Sequence, residues 1–89
     1  MPSVQFESTR RFDRCYRSLH PDDKEHVKEA LRRFASNPRS NSLRAKKIDT
    51  KRNIWSMRAS RSIRITFNWE ADQVVLRAVA NSHDIYRDP

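Results

Sequence analysis

Between Trp55 and Trp69 apolar side chains stand at every second position, with Trp55, Met57 and Ala59 in one run and Ile63, Ile65, Phe67 and Trp69 in the next. Such alternation fits strands with one buried face, because successive strand residues point to opposite sides of the pleat. The first third of the chain has a different period. Phe12, Cys15, Tyr16 and Leu19 follow the i, i+3, i+4, i+7 spacing of a helical stripe, and Val27, Ala30, Leu31 and Phe34 form a second one. Eighty-nine residues can enclose one modest core and not two. The chain is therefore expected to be α+β, a two-helix hairpin packed on one face of a small antiparallel sheet in the order β-α-α-β-β-β, forming one domain over 1–89.

Local signals place the ends of these elements. Val4 to Glu7 is short and β-compatible, and the hydroxyls of Ser8 and Thr9 then offer helix caps. His20-Pro21 closes the first helix, since the residue before a proline avoids helical backbone. Asp22, with Glu25 three residues later, fits a capping pattern for the second helix, which Asn37-Pro38 ends. Arg39 to Asn53 is polar and basic, anchored by Leu43 and Ile48, and predicts a loop with some extended structure. Val74 through Ala80 is apolar and β-branched enough for a strand in the middle of the sheet. The chain has no glycine, although three-residue hairpins usually want one at the left-handed position.

Register follows from the same alternation, because a slip of one residue would carry a whole apolar set to the wrong face. A three-residue loop, Ser60-Arg61-Ser62, sets Trp55 opposite Phe67 and Met57 opposite Ile65, and on the other face sets Arg58 opposite Arg64. A four-residue loop from Glu70 to Gln73 sets Leu76 against Phe67 and leaves Arg77 on the side of Arg58 and Arg64. Three neighbouring strands thus each offer an arginine to one surface. Like charges directly across a sheet destabilise it, so the opposed pair calls for a bound phosphate, a nearby carboxylate or solvent screening.

Nineteen Lys and Arg against eleven Asp and Glu leave a formal charge of +8, a footprint for nucleic acid or for an acidic protein. A basic surface also serves plain solubility, and each single cation among Arg44, Lys46, Lys47, Lys51 and Arg52 fits a solvated side chain. Collectively, Arg44, Lys46, Lys47, Arg61 and Arg77 are the candidate RNA-binding residues beside the opposed arginines. Ser82-His83-Asp84-Ile85-Tyr86-Arg87 follows the last strand and groups side chains able to move protons. Cleaving RNA without a metal needs a base for the 2′-hydroxyl, an acid for the leaving 5′-oxygen and cations for the charge on phosphate, needs that His83, Tyr86 and Arg64 match in kind. A His-Asp pair near a chain end is also common as surface decoration. No Cys or His pair stands at metal-finger spacing, and without glycine there is no phosphate-binding glycine loop, so neither a metal nor a cofactor is expected. Cys15 sits in the first helical stripe and reads as a core filler. The opening thirty residues hold no signal-like apolar run, and nothing later approaches a membrane span, which predicts a cytoplasmic protein with no membrane partner.

The helical hairpin, the stretch Ser42-Leu43-Arg44-Ala45-Lys46-Lys47, the strand Ile54-Trp55-Ser56-Met57-Arg58, the segment Ser60-Arg61-Ser62-Ile63-Arg64-Ile65-Thr66-Phe67 and the closing His83-Asp84-Ile85-Tyr86 together resemble the RelE/ParE toxin family of type II toxin–antitoxin systems. The likeness is to its messenger-cleaving branch, and Arg64, near the start of the second long strand, is its most telling residue. The resemblance implies a sheet with two helices on one face and an RNA-binding concavity on the other. It implies an endoribonuclease, an mRNA interferase, acting on messenger in the ribosomal decoding site. By position Arg58, Arg64, His83 and Tyr86 look like the family's catalytic residues. It also implies an acidic cognate antitoxin, partly disordered alone, joined to the toxin in a hetero-oligomer, with mRNA and the ribosome as targets. Relatives usually carry glycine in the loop before the tryptophan strand and just before the terminal histidine, where this chain has Asp49-Thr50-Lys51-Arg52-Asn53 and Asn81-Ser82. A ParE-like gyrase poison would share the fold without the nuclease constellation, and an inactive RNA-binding member would need only the charge. Arg64, His83 and Tyr86 together favour the nuclease.

Overall fold

A computed structural model describes residues 4–89. Along the chain run β1 (Gln5–Ser8), α1 (Arg10–Arg17), α2 (Pro21–Ser36), β2 (Lys46–Asp49), β3 (Ile54–Arg58), β4 (Ile63–Glu70), β5 (Gln73–Asn81) and the one-turn α3 (Ser82–Ile85). Thr9 caps α1: its Oγ1 accepts from Phe12 N–H at 3.1 Å and donates to the Leu76 carbonyl at 3.0 Å, tying the helix start to β5. At α2 the cap is His20 rather than Asp22, its Nδ1 accepting from Asp22 N–H at 3.4 Å. Pro21 then occupies the first turn, where its missing N–H removes a donor that the helix leaves unpaired anyway. Asp22 and Asp23 still lie at the positive end of the helix dipole.

The five strands form one sheet in the order β1-β5-β4-β3-β2. β2 to β5 make an antiparallel meander, and β1 pairs in parallel with β5, Phe6 opposite Val74 and Ser8 opposite Leu76. The sheet is therefore mixed rather than purely antiparallel. The cause is the connection: the helical hairpin carries the chain from one edge strand to the other, so β1 meets only the last strand of the meander. β2 lies within the stretch expected as a loop. It is short, polar and at an edge, where lysines discourage further pairing and no apolar alternation marks the strand.

Pairing across β3 and β4 is as the alternation requires, with Trp55 opposite Phe67, Met57 opposite Ile65 and Arg58 opposite Arg64. Only Ala71 and Asp72 separate the paired Glu70 and Gln73, a tighter turn than the expected four residues, yet Phe67 still faces Leu76. Past that pair the ladder shifts, Thr66 meets Ala78, and Arg77 becomes the extra residue of a bulge. Left-handed backbone falls on Arg44, Asn53 and Ala71, at φ of 47°, 53° and 53°. Asn53 is the easiest of these, since asparagine tolerates that region and fastens itself by Nδ2–H to the Trp69 carbonyl at 3.1 Å.

α1 and α2 cover one face of the sheet. Phe34 of α2, fully buried, meets Phe67 edge-on at 5.4 Å and Trp69 at 5.1 Å between ring centres, and lies 6.1 Å from Phe6. Val27, Ala30, Phe12, Met57, Ile65 and Leu76 belong to the same cluster, against which Cys15 packs half-buried. Burying one such large side chain is worth roughly 1.5–3 kcal/mol, and each aromatic pair about 0.5–1.5 kcal/mol more. Leu43, also fully buried, anchors the basic loop to this core, and its carbonyl accepts from Arg58 N–H at 2.6 Å. No described helix is long and apolar enough to cross a membrane.

Candidate nucleic-acid interface

Residues that alternate with the core emerge on the sheet face turned away from α1 and α2. β3 supplies Ile54, Ser56 and Arg58, and β4 supplies Asn68, Thr66 and Arg64 directly opposite them. On β5 the residues facing Thr66 and Arg64 are Ala78 and Ala80, so this part of the face is low. Arg77, displaced by the bulge, turns to the same side and donates from Nη1 to Asn68 Oδ1 at 2.9 Å. The bulge thus keeps Arg77 on the face that a regular ladder would give it and lets Ala78 take its place opposite Thr66.

Arg58 and Arg64 sit across the ladder from each other, both half-buried. Their repulsion is met by backbone carbonyls rather than by acid. Arg58 Nε donates to the Ser60 carbonyl at 3.3 Å, and Arg64 Nη1 donates to the same carbonyl at 2.9 Å and to that of Ile63 at 3.2 Å. Neither arginine is ion-paired with a described carboxylate. A carbonyl brings only partial negative charge, so the pair keeps a surplus of positive charge suited to a phosphate group.

The remaining candidates divide by strand geometry. Lys46 pairs with Ser56 and so joins the arginine face, whereas Lys47 pairs with Trp55 and falls on the helix side, its ammonium 5.3 Å from the Trp55 ring centre. Arg61 is exposed in the β3–β4 loop, and Arg44 is exposed ahead of β2. Arg52 is engaged by Asp49 at 2.9 Å, and the hydrogen bonds from its side chain and backbone hold the Asp49 carboxyl below its ordinary pKa.

His83 and Tyr86 lie on and just after α3, both exposed, Tyr86 at 44%. α3 continues directly from β5. Asn81 caps it, with Oδ1 accepting from Asp84 N–H at 2.8 Å, and Ser82 N–H donates to the Ser62 carbonyl at 2.6 Å, which docks α3 on the loop that holds both arginines. The structure therefore brings Arg58 and Arg64 together and brings α3 to their loop. It joins neither His83 nor Tyr86 to an arginine by a hydrogen bond. Beyond Tyr86 the chain crosses the open face. The Pro89 carbonyl accepts from Thr66 Oγ1 at 2.9 Å and Arg77 Nε at 3.3 Å, and Asp88 pairs with Arg11 at 3.5 Å.

Sequence reasoning missed Thr66, Asn68 and the Ser60 carbonyl. The first two were findable, since residues 64, 66 and 68 share a face by the same period that placed Arg64. The carbonyl was not, because any residue type supplies one. Among the described residues no group of three or more His, Cys, Asp or Glu side chains converges.

No protein-family model and no curated protein matches the chain. Solved structures do. YafQ from Escherichia coli strain BL21(DE3) superposes with a TM-score of 0.75 at 7% identity, covering 93% of this chain and 98% of that one. RelE in the archaeal RelE–RelB complex of Pyrococcus horikoshii gives 0.72 at 10% identity over 92% and 98%, and the RelB–RelE antitoxin–toxin complex of Methanococcus jannaschii gives 0.69 at 18% over 92% and 96%. Helical hairpin, five-stranded mixed sheet and terminal turn of helix together give this chain the fold of the RelE/ParE toxins.

Proposed function

We propose that the chain is the toxin of a type II toxin–antitoxin pair and acts in the cytoplasm as an mRNA interferase, cutting messenger on the ribosome without a metal. The carrying observation is the opposed pair Arg58 and Arg64, held by carbonyls and lacking a carboxylate, beside a helix that bears His83. Such a pair raises the energy of the free sheet and is relieved by a phosphate. The structurally similar YafQ and RelE proteins were solved in toxin–antitoxin complexes, which supports an acidic antitoxin as this chain's partner.

In this reading the phosphate of the scissile nucleotide replaces the Ser60 and Ile63 carbonyls at Arg64, which stabilises the charge that builds on the pentavalent phosphorus. His83 and Tyr86 serve the protons: one takes the 2′-hydroxyl proton as the 2′-oxygen bonds to phosphorus, the other delivers a proton to the 5′-oxygen as its bond to phosphorus breaks. Arg58 holds the neighbouring backbone, and Lys46, Arg61 and Arg77 extend the basic track, with Arg44 at its border and Lys47 outside it on the helix side. The products are a cyclic phosphate and a free 5′-hydroxyl.

A reporter translated in a cell extract tests the proposal: wild type stops synthesis and leaves cut messenger, while Arg64→Ala, His83→Ala and Tyr86→Phe leave messenger whole and are tolerated in cells that wild type arrests. Lys28→Ala, on the exposed side of α2, stays toxic. Arrest without cut messenger, unchanged by Arg64→Ala, refutes the nuclease and favours a binding-only poison.

A further inference from the structure

α1 and α2 use their cations differently. On α2, Lys28 lies 3.5 Å from Glu25, and Glu29 receives Arg32 at 2.8 Å and Arg33 at 3.3 Å. On α1, Arg10, Arg14 and Arg17 follow i, i+4, i+7 spacing, which sets them within about 60° of arc and spreads them over about 10 Å of helix axis. All three are exposed, none is ion-paired with a described carboxylate, and with Asp13 they line a recess of about 450 Å³. The ridge runs along the side of α1 opposite the buried Phe12, so it faces away from the sheet.

Helix chemistry does not account for the ridge. Arg14 and Arg17 suit the negative end of the dipole, but Arg10 and Arg11 stand in the first turn, where a cation is unfavourable. Arg11 is offset by Asp88, and Arg10 has no such partner among the described residues. The recess has no apolar lining residue, whereas a protein partner would need an apolar anchor at the centre of its interface. Phosphate contacts need none.

We propose that Arg10, Arg14 and Arg17 form a second RNA-backbone surface, separate from the arginine face of the sheet, that grips structured RNA while the sheet takes the strand to be cut. Arg11, beside the ridge on α1, pairs with Asp88, next to the Pro89 that lies over Thr66 and Arg77, so the ridge adjoins the arginine face at one margin without being part of it. A folded RNA can follow both surfaces around that margin. The inference rests on the nuclease reading only in taking RNA as the ligand.

The test is salt-dependent binding of the purified chain to a 20-base-pair RNA duplex and to a 12-nucleotide single strand. The triple variant Arg10→Gln, Arg14→Gln, Arg17→Gln is compared with the charge-matched Lys24→Gln, Lys28→Gln, Arg32→Gln on α2. Glutamine keeps helix propensity, and circular dichroism confirms that both fold. Expected is a loss of about two to three units in the slope of log affinity against log salt for the duplex with the α1 triple, and less than one with the α2 triple. Equal losses show a net-charge effect and overturn the proposal. So does an unchanged slope, including the case where the α1 triple instead loses binding to a polyglutamate peptide, which marks an acidic-protein surface. If Arg64→Ala and His83→Ala still cut messenger while the α1 triple loses duplex affinity, the catalytic assignment fails and the second surface stands.

Discussion

The two faces of the sheet are made from alternate residues of the same strands, and they hold opposite contents. Toward the helices, Trp55, Met57, Ile65, Phe67 and Leu76 close on Phe34 in one apolar cluster, the ring contacts of Phe34 being edge-on or tilted. Away from them, Arg58, Arg64, Thr66, Asn68 and Arg77 pair with carbonyls, with each other and with the end of the chain. A step of one residue therefore separates what holds the domain together from what is available for chemistry. Substitutions on one face should move stability and leave activity per folded molecule, and those on the other should do the reverse.

The sharpest way to break that division is Arg64→Ala, which should lower the cleavage rate of ribosome-bound messenger about 10²- to 10⁴-fold with no loss of thermal stability, because it removes one of two repelling charges. A domain unfolded by this change would show that the arginine pair is structural. Phe34→Ala is the mirror experiment: deleting the ring that meets Phe67, Trp69 and Phe6 should cost roughly 3–5 kcal/mol in urea unfolding, and a cost under about 1 kcal/mol would mean the stability lies elsewhere.

The neighbouring lysines divide the faces at single-residue resolution. Lys46→Ala should reduce the salt slope of RNA binding by up to about one unit, while Lys47→Ala should leave it alone and cost about 0.5–1 kcal/mol of stability through the lost contact with Trp55. Equal slopes for both would place the RNA around the β2 edge instead of on one face. A smaller effect of opposite sign is expected at Ala71, which belongs to neither face. Its left-handed φ of 53° suits glycine, so Ala71→Gly should raise stability by up to about 1 kcal/mol and leave cleavage unchanged. The smallest effect concerns α2. The hydrogen bond and charge of Arg32 hold the Glu29 carboxyl below its ordinary pKa, so this pair adds stability above the unfolded value, and the contribution is lost as pH falls through the folded one. Acid titration of Glu29→Gln should show a slightly flatter decline than wild type, and an identical curve would make the pair irrelevant to stability.

How much of this was legible follows the same division. The opposed arginines were readable because burying Trp55, Met57, Ile65 and Phe67 fixes the register, and the register fixes what stands behind them. The tight turn at Ala71 and Asp72 was not, since no glycine marked it, yet the register survived because the core decides it rather than the turn. His20 displaced Asp22 as the cap of α2 because its ring nitrogen reaches the same backbone donor. Lys47 was grouped with Lys46 by adjacency, although adjacent strand residues face opposite ways once β2 is recognised as a strand.

The sequence by itself determined the periods: two helical stripes, three strands with one apolar face each, and therefore the side of the sheet on which Arg58, Arg64 and Arg77 emerge. These are local consequences of backbone geometry and burial, and the order of residue types carries them. Tertiary structure alone decided that β1 closes in parallel on β5, that Lys46–Asp49 is an edge strand, that the Ser60 carbonyl holds two arginines, and that Pro89 lies over Thr66 and Arg77. Those contacts run through backbone groups that every residue possesses, between distant segments for β1 and Pro89 and within one hairpin for Ser60, so no side-chain pattern announces them.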